Sequence, residues 1–372
     1  MTRKPRLLMI GRTRYRLPLD DTLKVKFDAL VERFDVRVLA SGVDGSPRRN
    51  DVFELAGPWR PRWLDGTLYF LSLPFRTRRE LRSSAPDGVL VQGAHETWLV
   101  LLGRSLSGVR APVILDVHGD WRSPTRLYGS PARRLLNPVA DRVALSALHR
   151  ADAVRTISDY TTDLVRSQGV EPAAVFPAFM DLEPFLGPTL PLPPHPRALF
   201  VGVLEHYKGI DELAAAWRTV AARLPDSTLH VVGHGTRREV VERLVADLPD
   251  RVEWTEVLPT EGVARALDAA TVLVLPSRSE GMGRVLVEAF CRGRGAVASR
   301  VGGIVDLVHD GQNGLLVPPR DPQALTEALC RVLDDRDLAK RLGEGAKASA
   351  DTWTATPEEY AARLESLVAG LR

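Results

Sequence analysis

LPSRSEGMGRVLVEAF, residues Leu275 to Phe290, carries more structural information than any other segment of the chain. An apolar strand runs to Leu275, a Pro-Ser corner follows, Gly281 and Gly283 frame a short loop, and a helix with apolar spacing begins at Arg284. Strand, glycine loop and helix in succession form half of a βαβ unit, and the loop then lies at the carboxyl edge of a parallel sheet, where ligands bind. Glycines let backbone approach a ligand closely, and the unpaired N–H groups of a helix's first turn suit a diphosphate. Placing an anion at such an end stabilises by about 0.3–1 kcal/mol when exposed. Glu280 sits in the loop and Glu288 in the helix, so the two carboxylates can hold opposite ends of one elongated ligand. A carboxylate that accepts from two hydroxyls holds a vicinal diol, on a ribose or a sugar. From these residues alone an alternative stays open, in which Glu280 caps the helix and Glu288 is solvated.

The same alternation extends outward in both directions. Apolar runs at Arg6–Ile10, Val36–Ala40, Gly88–Gln92, Val113–Val117 and Ala153–Ile157 read as strands of one sheet. A second series comprises Ala198–Leu204, Leu229–Val232, Val252–Trp254, Thr271–Leu275 and Ala296–Ser299. Amphipathic stretches between them indicate crossover helices and parallel sheets. From Pro188 to Pro196, five prolines in nine residues can continue neither sheet. The expectation is therefore α/β: two Rossmann-like doubly wound parallel-sheet domains, residues 1–187 and 188–356, facing a central cleft. Residues 357–372, with Tyr360, Leu364 and Leu367 at helical spacing, form a closing helix expected to pack back on the first domain.

At 372 residues, with a hydrophobic fraction of 44% and a charged fraction of 26%, the chain has the composition of two globular domains and not of a disordered or fibrous protein. Its two cysteines, Cys291 and Cys330, lack histidines at ligand spacing, which argues against a disulfide framework or a zinc site and for a reducing, cytoplasmic compartment. The apolar run near Met1 is too short for a signal-peptide core, and no stretch reaches the length of a membrane-spanning helix. Residues 1–185 hold 28 Lys and Arg against 21 Asp and Glu, so the first half is the basic one. A basic face attracts phosphates, nucleic acid or anionic lipid without choosing among them, and surplus surface arginine explains it equally well.

Glu280 and Glu288 with seven residues between them, together with Gly281, Gly283, Ala289 and Gly302-Gly303, closely resemble the signature of the family-four retaining glycosyltransferases of the GT-B fold. Further segments agree in order: VGVLEHYKG at Val201–Gly209, LHVVGHG at Leu229–Gly235, GQNGLLVPPRD at Gly311–Asp321, ADAVRTISDY at Ala151–Tyr160, and Pro177–Phe185. The resemblance implies transfer of a hexose-type sugar from a nucleotide-diphosphate donor, UDP-sugar before GDP-sugar, with no metal or other cofactor. The first domain would be the acceptor side, taking a carbohydrate, lipid-linked or small-molecule acceptor, and the second would bind the nucleotide sugar. Glu288 would bind the ribose, Glu280 the donor-sugar hydroxyls, and Gly202, Gly281, Met282, Gly283 and Arg284 the sugar and diphosphate. Lys208 matches the phosphate-binding lysine, which balances charge developing on the leaving diphosphate. His118, at the end of VILDVHG, resembles the strand-end histidine beside the donor sugar, with a general-base role also compatible with its titration range. Asp120 is the neighbouring acid expected to orient it.

The chain departs from that pattern at several places. Where the family carries an arginine just past Gly202 the chain has Val203, so a second cation is needed, and Arg278 and Arg284 flank the Glu280 loop. Met282 replaces phenylalanine, Gly295 replaces proline, and Ala178-Phe179 replaces asparagine-glycine. Gly11–Arg16, GRTRYR, reads as a loop whose arginines meet an anionic acceptor or face solvent. Trp59–Arg79 interleaves aromatics with arginines, as interfacial segments do, so peripheral contact at the inner membrane face is a partner expectation, with buried aromatic packing as its alternative.

Three other readings compete. A nicotinamide or flavin oxidoreductase needs a G-x-G-x-x-G turn after its first strand, and neither Gly11-Arg12-Thr13 nor Gly233-His234-Gly235 supplies it. A sugar-nucleotide epimerase or hydrolase of the same fold would consume donor without acceptor. A specific nucleic-acid binder is disfavoured because basic and aromatic residues form no stacking platform.

Overall fold

Parallel strands that bury both faces need helices on either side, and this requirement shapes both halves of the chain. The computed structural model describes residues 3–122 and 137–371, and the chain divides into two compact units, 1–181 with 355–372, and 182–354.

In the first unit β1 (Arg6–Tyr15), α1 (Asp21–Arg33), β2 (Asp35–Gly42), β3 (Phe53–Ala56), α2 (Asp65–Ser84), β4 (Gly88–Gln92) and α3 (Ala94–Ser107) are followed by β5 (Val113–Val117), α4 (Asn137–Arg150), β6 (Ala153–Thr156), α5 (Asp159–Arg166) and β7 (Ala174–Val175). The strands pair in parallel in the order β3-β2-β1-β4-β5-β6-β7. Along β1 the side chains alternate between two cores, as a pleat requires. Leu7 and Met9 join Phe27 and Leu30 of α1, while Leu8 and Ile10 join Tyr69 and Leu73 of α2 and Val100 of α3.

The second unit repeats the plan with β8 (Arg197–Val201), α6 (Ile210–Arg223), β9 (Thr228–Val232), α7 (Arg238–Asp247), β10 (Val252–Thr255), α8 (Thr260–Asp268) and β11 (Val272–Leu275). It continues with α9 (Arg284–Cys291), β12 (Ala296–Ser299), α10 (Ile304–Leu307), β13 (Gly314–Val317), α11 (Pro322–Asp334) and α12 (Arg336–Ala350). Here the order is β10-β9-β8-β11-β12-β13. In both sheets the winding direction reverses beside the first strand, between β1 and β4 and between β8 and β11, and ligands of doubly wound sheets bind outside such a reversal. The last helix, α13 (Pro357–Ala369), belongs to the first unit. A Thr356–Glu359 capping box starts it, and it lays Tyr360, Leu364 and Leu367 into the core that contains Phe27.

Three features differ from the sequence reading. GRTRYR is not a loop: β1 resumes pairing with β2 after an irregularity, Tyr15 is buried against Phe27 and Phe53, and Arg14 pairs with Asp65 at 3.0 Å. The short strands β3 and β7 carried no apolar run long enough to stand out. Pro188–Pro196 is fastened to the second unit, where Arg294 donates to the carbonyls of Leu190 and Pro191 and Arg336 to those of Leu192 and Pro193. Phe185 is already buried in that unit, which starts at Leu182, ahead of the prolines. Among the described residues no helix is long and apolar enough to cross a membrane.

Leu364 is fully buried, whereas its neighbour Glu365 makes a half-exposed 2.8 Å pair with Arg33. Leu364→Ala should cost about 2–5 kcal/mol in denaturant unfolding, and Glu365→Ala less than about 1 kcal/mol. Equal costs would contradict the docking of α13.

Candidate active site

Because β8 and β11 are sheet neighbours, the loops leaving their carboxyl ends, residues 202–209 and 276–283, run side by side. Lys208 Nζ crosses between them and donates to Glu280 Oε2 at 2.5 Å, and Ser277 Oγ donates to the same oxygen at 3.3 Å. The two charged side chains are only 13% and 14% exposed, so the pair is largely shielded from water. Below them the Arg278 N–H donates to the Tyr207 carbonyl at 2.7 Å. The Arg278 guanidinium lies 2.7 Å from Glu212 of α6 and also contacts His206. Gly209 has φ 72°, and a Cβ there would stand 1.9 Å from the Pro276 carbonyl oxygen, so this crossing admits only glycine.

The glycine pair after β12 supports the Glu280 loop from behind. A Cβ on Gly302 (φ 51°) would lie 1.9 Å from the Glu280 carbonyl oxygen, and the Gly303 N–H donates to that oxygen at 3.2 Å. Gly202 is held likewise, its N–H donating to the Val232 carbonyl at 3.0 Å.

Gly283, in the left-handed region at φ 82°, is the N-cap of α9, and no side chain caps that helix. Glu280 is therefore not its cap; its carboxylate is committed to Lys208. Glu288 is not solvated either, being 8% exposed, with Oε1 accepting from Arg284 Nε at 2.7 Å. Burial pushes its carboxyl above the usual carboxylate range, and the Arg284 guanidinium offsets part of that rise. Met282 is buried, Arg284 is half-exposed, and Val203 is exposed where the family pattern has a cation. Gly202, Lys208, Glu280, Gly281, Met282, Gly283, Arg284 and Glu288 thus all lie on these two loops and the first turns of α9.

His118 lies in the other unit, just past the end of β5. Its Nε2 is 2.8 Å from Asp116 Oδ2, and Asp116 Oδ1 accepts from Arg155 Nη1 at 2.5 Å. Asp116 and Arg155 face each other as register partners on β5 and β6. Arg155 is fully buried, donates to the carbonyls of Phe176 and Pro177 at 2.8 Å each, and stacks 3.9 Å from the Phe176 ring. Burial alone would push Asp116 up, but the Arg155 guanidinium and His118 outweigh it and hold its carboxyl well below the usual range. Asp120, expected to orient His118, instead accepts from the Arg122 backbone N–H and Nε at 2.9 Å. Strand alternation favours Asp116, since residues two apart share a face of a strand and Asp120 lies beyond the end of β5.

Two known families cover most of the chain: residues 27–184 match Glycosyltransferase Family 4 and residues 195–335 match Glycosyl transferases group 1. Alpha-D-kanosaminyltransferase of Streptomyces kanamyceticus is 27% identical over 349 residues, covering 89% of this chain and 86% of that protein. Sucrose-phosphate synthase from Thermosynechococcus elongatus superposes with a TM-score of 0.80 at 23% identity, over 98% of this chain and 99% of the other. The Anabaena protein HepE, crystallised with UDP-glucose, superposes with a TM-score of 0.70 at 17% identity, over 97% and 99%. Two Rossmann-like domains of this topology make up the GT-B fold. The chain belongs to the family-four, group-one glycosyltransferases, which sets aside the epimerase and nucleic-acid readings.

The raised carboxyl of Glu288 has a signed consequence. A folded-state pKa above the unfolded value means that the native protein holds the proton more tightly, so stability declines as pH rises through the raised value. Glu288→Gln should therefore have a higher Tm than the parent at pH 7 and lose that advantage near pH 4. A lower Tm at pH 7 would contradict the buried placement.

Proposed function

We propose that the chain transfers a hexose-type sugar, with retention of anomeric configuration and without a metal, from a nucleotide-diphosphate donor to a carbohydrate, lipid-linked or small-molecule acceptor. The observation that carries this reading is the Lys208–Glu280 pair at the strand reversal, beside a helix whose N-terminus no side chain caps. In the proposed complex Glu288 accepts the ribose hydroxyls, and Glu280 accepts from the donor sugar. The loop around Gly202 and the amides of Gly281, Met282 and Gly283 approach the diphosphate, and Lys208 faces its oxygens. Arg284 is the second cation, ranked above Arg278 because it is half-exposed at the start of α9, whereas Arg278 is buried against Glu212. His118 contacts a sugar hydroxyl.

The chemistry follows from those placements. The bond from the anomeric carbon to the diphosphate oxygen breaks with its electron pair going to phosphate, where Lys208 and Arg284 neutralise the charge. The acceptor hydroxyl bonds to the same face of that carbon, and its proton passes to the departing phosphate. Uridine is preferred over guanosine, in keeping with the UDP-glucose bound by HepE.

A panel of nucleotide sugars in a thermal-shift assay tests donor use, since a ligand at 100 times its Kd stabilises by about 2.7 kcal/mol. Glu288→Ala should weaken UDP-glucose binding by about 1–3 kcal/mol, the scale of a charged hydrogen bond. Lys208→Ala should depress donor turnover more than it weakens binding of free uridine. Unchanged donor affinity in Glu288→Ala would remove the ribose assignment.

The reading extends to cytoplasmic placement with peripheral membrane contact. Trp63, Leu71 and Phe75 are exposed around α2 beside Arg78 and Arg79, an apolar and basic face that suits an anionic lipid surface. Phosphatidylserine vesicles should co-sediment the chain, and the Phe75→Ser, Leu71→Ser double variant should stay in solution; retention of the parent in the supernatant would end this part of the reading.

A further inference from the structure

The first unit contains a charged chain whose two buried members the donor chemistry above leaves unused. It runs from Arg155 through Asp116 to His118, and only its last member reaches solvent. We propose that Asp116 is a positioning residue: it fixes His118 as the Nε2–H tautomer, which leaves Nδ1 as a hydrogen-bond acceptor aimed at a sugar hydroxyl. The inference rests on the reading of His118 as a sugar contact and states what that contact is.

The geometry assigns each proton in turn. Arg155 is fully buried, with one guanidinium nitrogen spent on Asp116 and another on two backbone carbonyls. An arginine so enclosed keeps the carboxylate beside it ionised, and an ionised carboxylate can only accept. Asp116 Oδ1 is taken by Arg155, so Oδ2, at 2.8 Å, accepts from the imidazole, and the hydrogen must sit on Nε2. In the Nε2–H tautomer Nδ1 carries a lone pair. It has no hydrogen-bond partner among the described residues, on a side chain that is 37% exposed.

The surrounding polar groups agree. Gln92 places its amide 3.4 Å from the same Nε2, and Thr13 Oγ1 lies 3.1 Å from the other end of that amide. Turning the amide so that its oxygen faces Nε2–H and its nitrogen faces the Thr13 hydroxyl gives every contact a donor and an acceptor.

The tautomer selects the ligand group. An outward N–H would bind a carbonyl or phosphate oxygen, whereas an outward lone pair binds a hydroxyl and turns a carbonyl away. A buried ion pair is weak evidence of stabilisation in itself, and a carboxylate with one oxygen on a half-exposed histidine does more than fill a core.

Nitrogen-15 NMR of the full chain labelled at histidine tests the assignment. The parent should show His118 as the Nε2–H form. Asp116→Asn keeps the shape, and with Arg155 holding the amide oxygen it presents N–H to Nε2, so the hydrogen should move to Nδ1. In that variant kcat for UDP release from UDP-glucose should fall on the order of 100-fold, while KM for UDP-glucose stays within about two-fold. A parent spectrum showing the Nδ1–H form overturns the proposal, whether or not the Asn variant folds. So does an inverted tautomer with unchanged kcat. Undiminished UDP release by His118→Ala would instead refute the sugar contact and leave the tautomer result standing.

Discussion

The ion pair between Lys208 and Glu280 is the constraint on which the second unit's site depends. It closes the space between two loops that the strand order has already made neighbours. Removing either partner strands a largely buried charge, a change that typically costs about 3–5 kcal/mol. The surrounding features maintain that closeness: Gly209 lets one loop touch Pro276, Arg278 joins the loops from below, and Gly302-Gly303 press on the Glu280 backbone. With the loop so fixed, α9 begins at Gly283 with its first-turn amides uncapped by any side chain.

Two buried carboxylates show how environment divides labour between residues of similar chemistry. Glu288 is dominated by burial and its carboxyl is driven upward, so its charge is held at a cost that a hydrogen-bonding ligand can offset. Asp116 is at least as buried, but a guanidinium and an imidazole surround it and its carboxyl is driven down.

Most of the second unit was legible because its signals are local. Leu275–Phe290 contains the strand end, the loop glycines, the helix and both acids in one stretch, and the core strands are apolar runs that burial on both faces demands. Other features were hidden for physical reasons. β3 and β7 are too short for periodicity to show, and GRTRYR disguises a strand whose arginines flank a buried tyrosine. The proline run marks the change of domain, but the arginines that fasten it to the second unit lie more than a hundred residues further on. Asp116 and Asp120 both lie two positions from His118, but only Asp116 belongs to β5, which ends at Val117, and Asp116 makes the contact. The pairing of Arg155 with Asp116 depends on strand register between β5 and β6, which no single stretch of sequence contains.

The return of α13 to the first unit imposes an order on biogenesis. The second unit is one uninterrupted span, residues 182–354, and holds everything its core needs once that span has left the ribosome. The first unit begins earlier but must wait, because Tyr360, Leu364 and Leu367 arrive last. The portion synthesised first therefore finishes folding second. Until then the apolar surface around Phe27 and Leu30 stays uncovered, and nascent chains of this protein should draw on chaperones there.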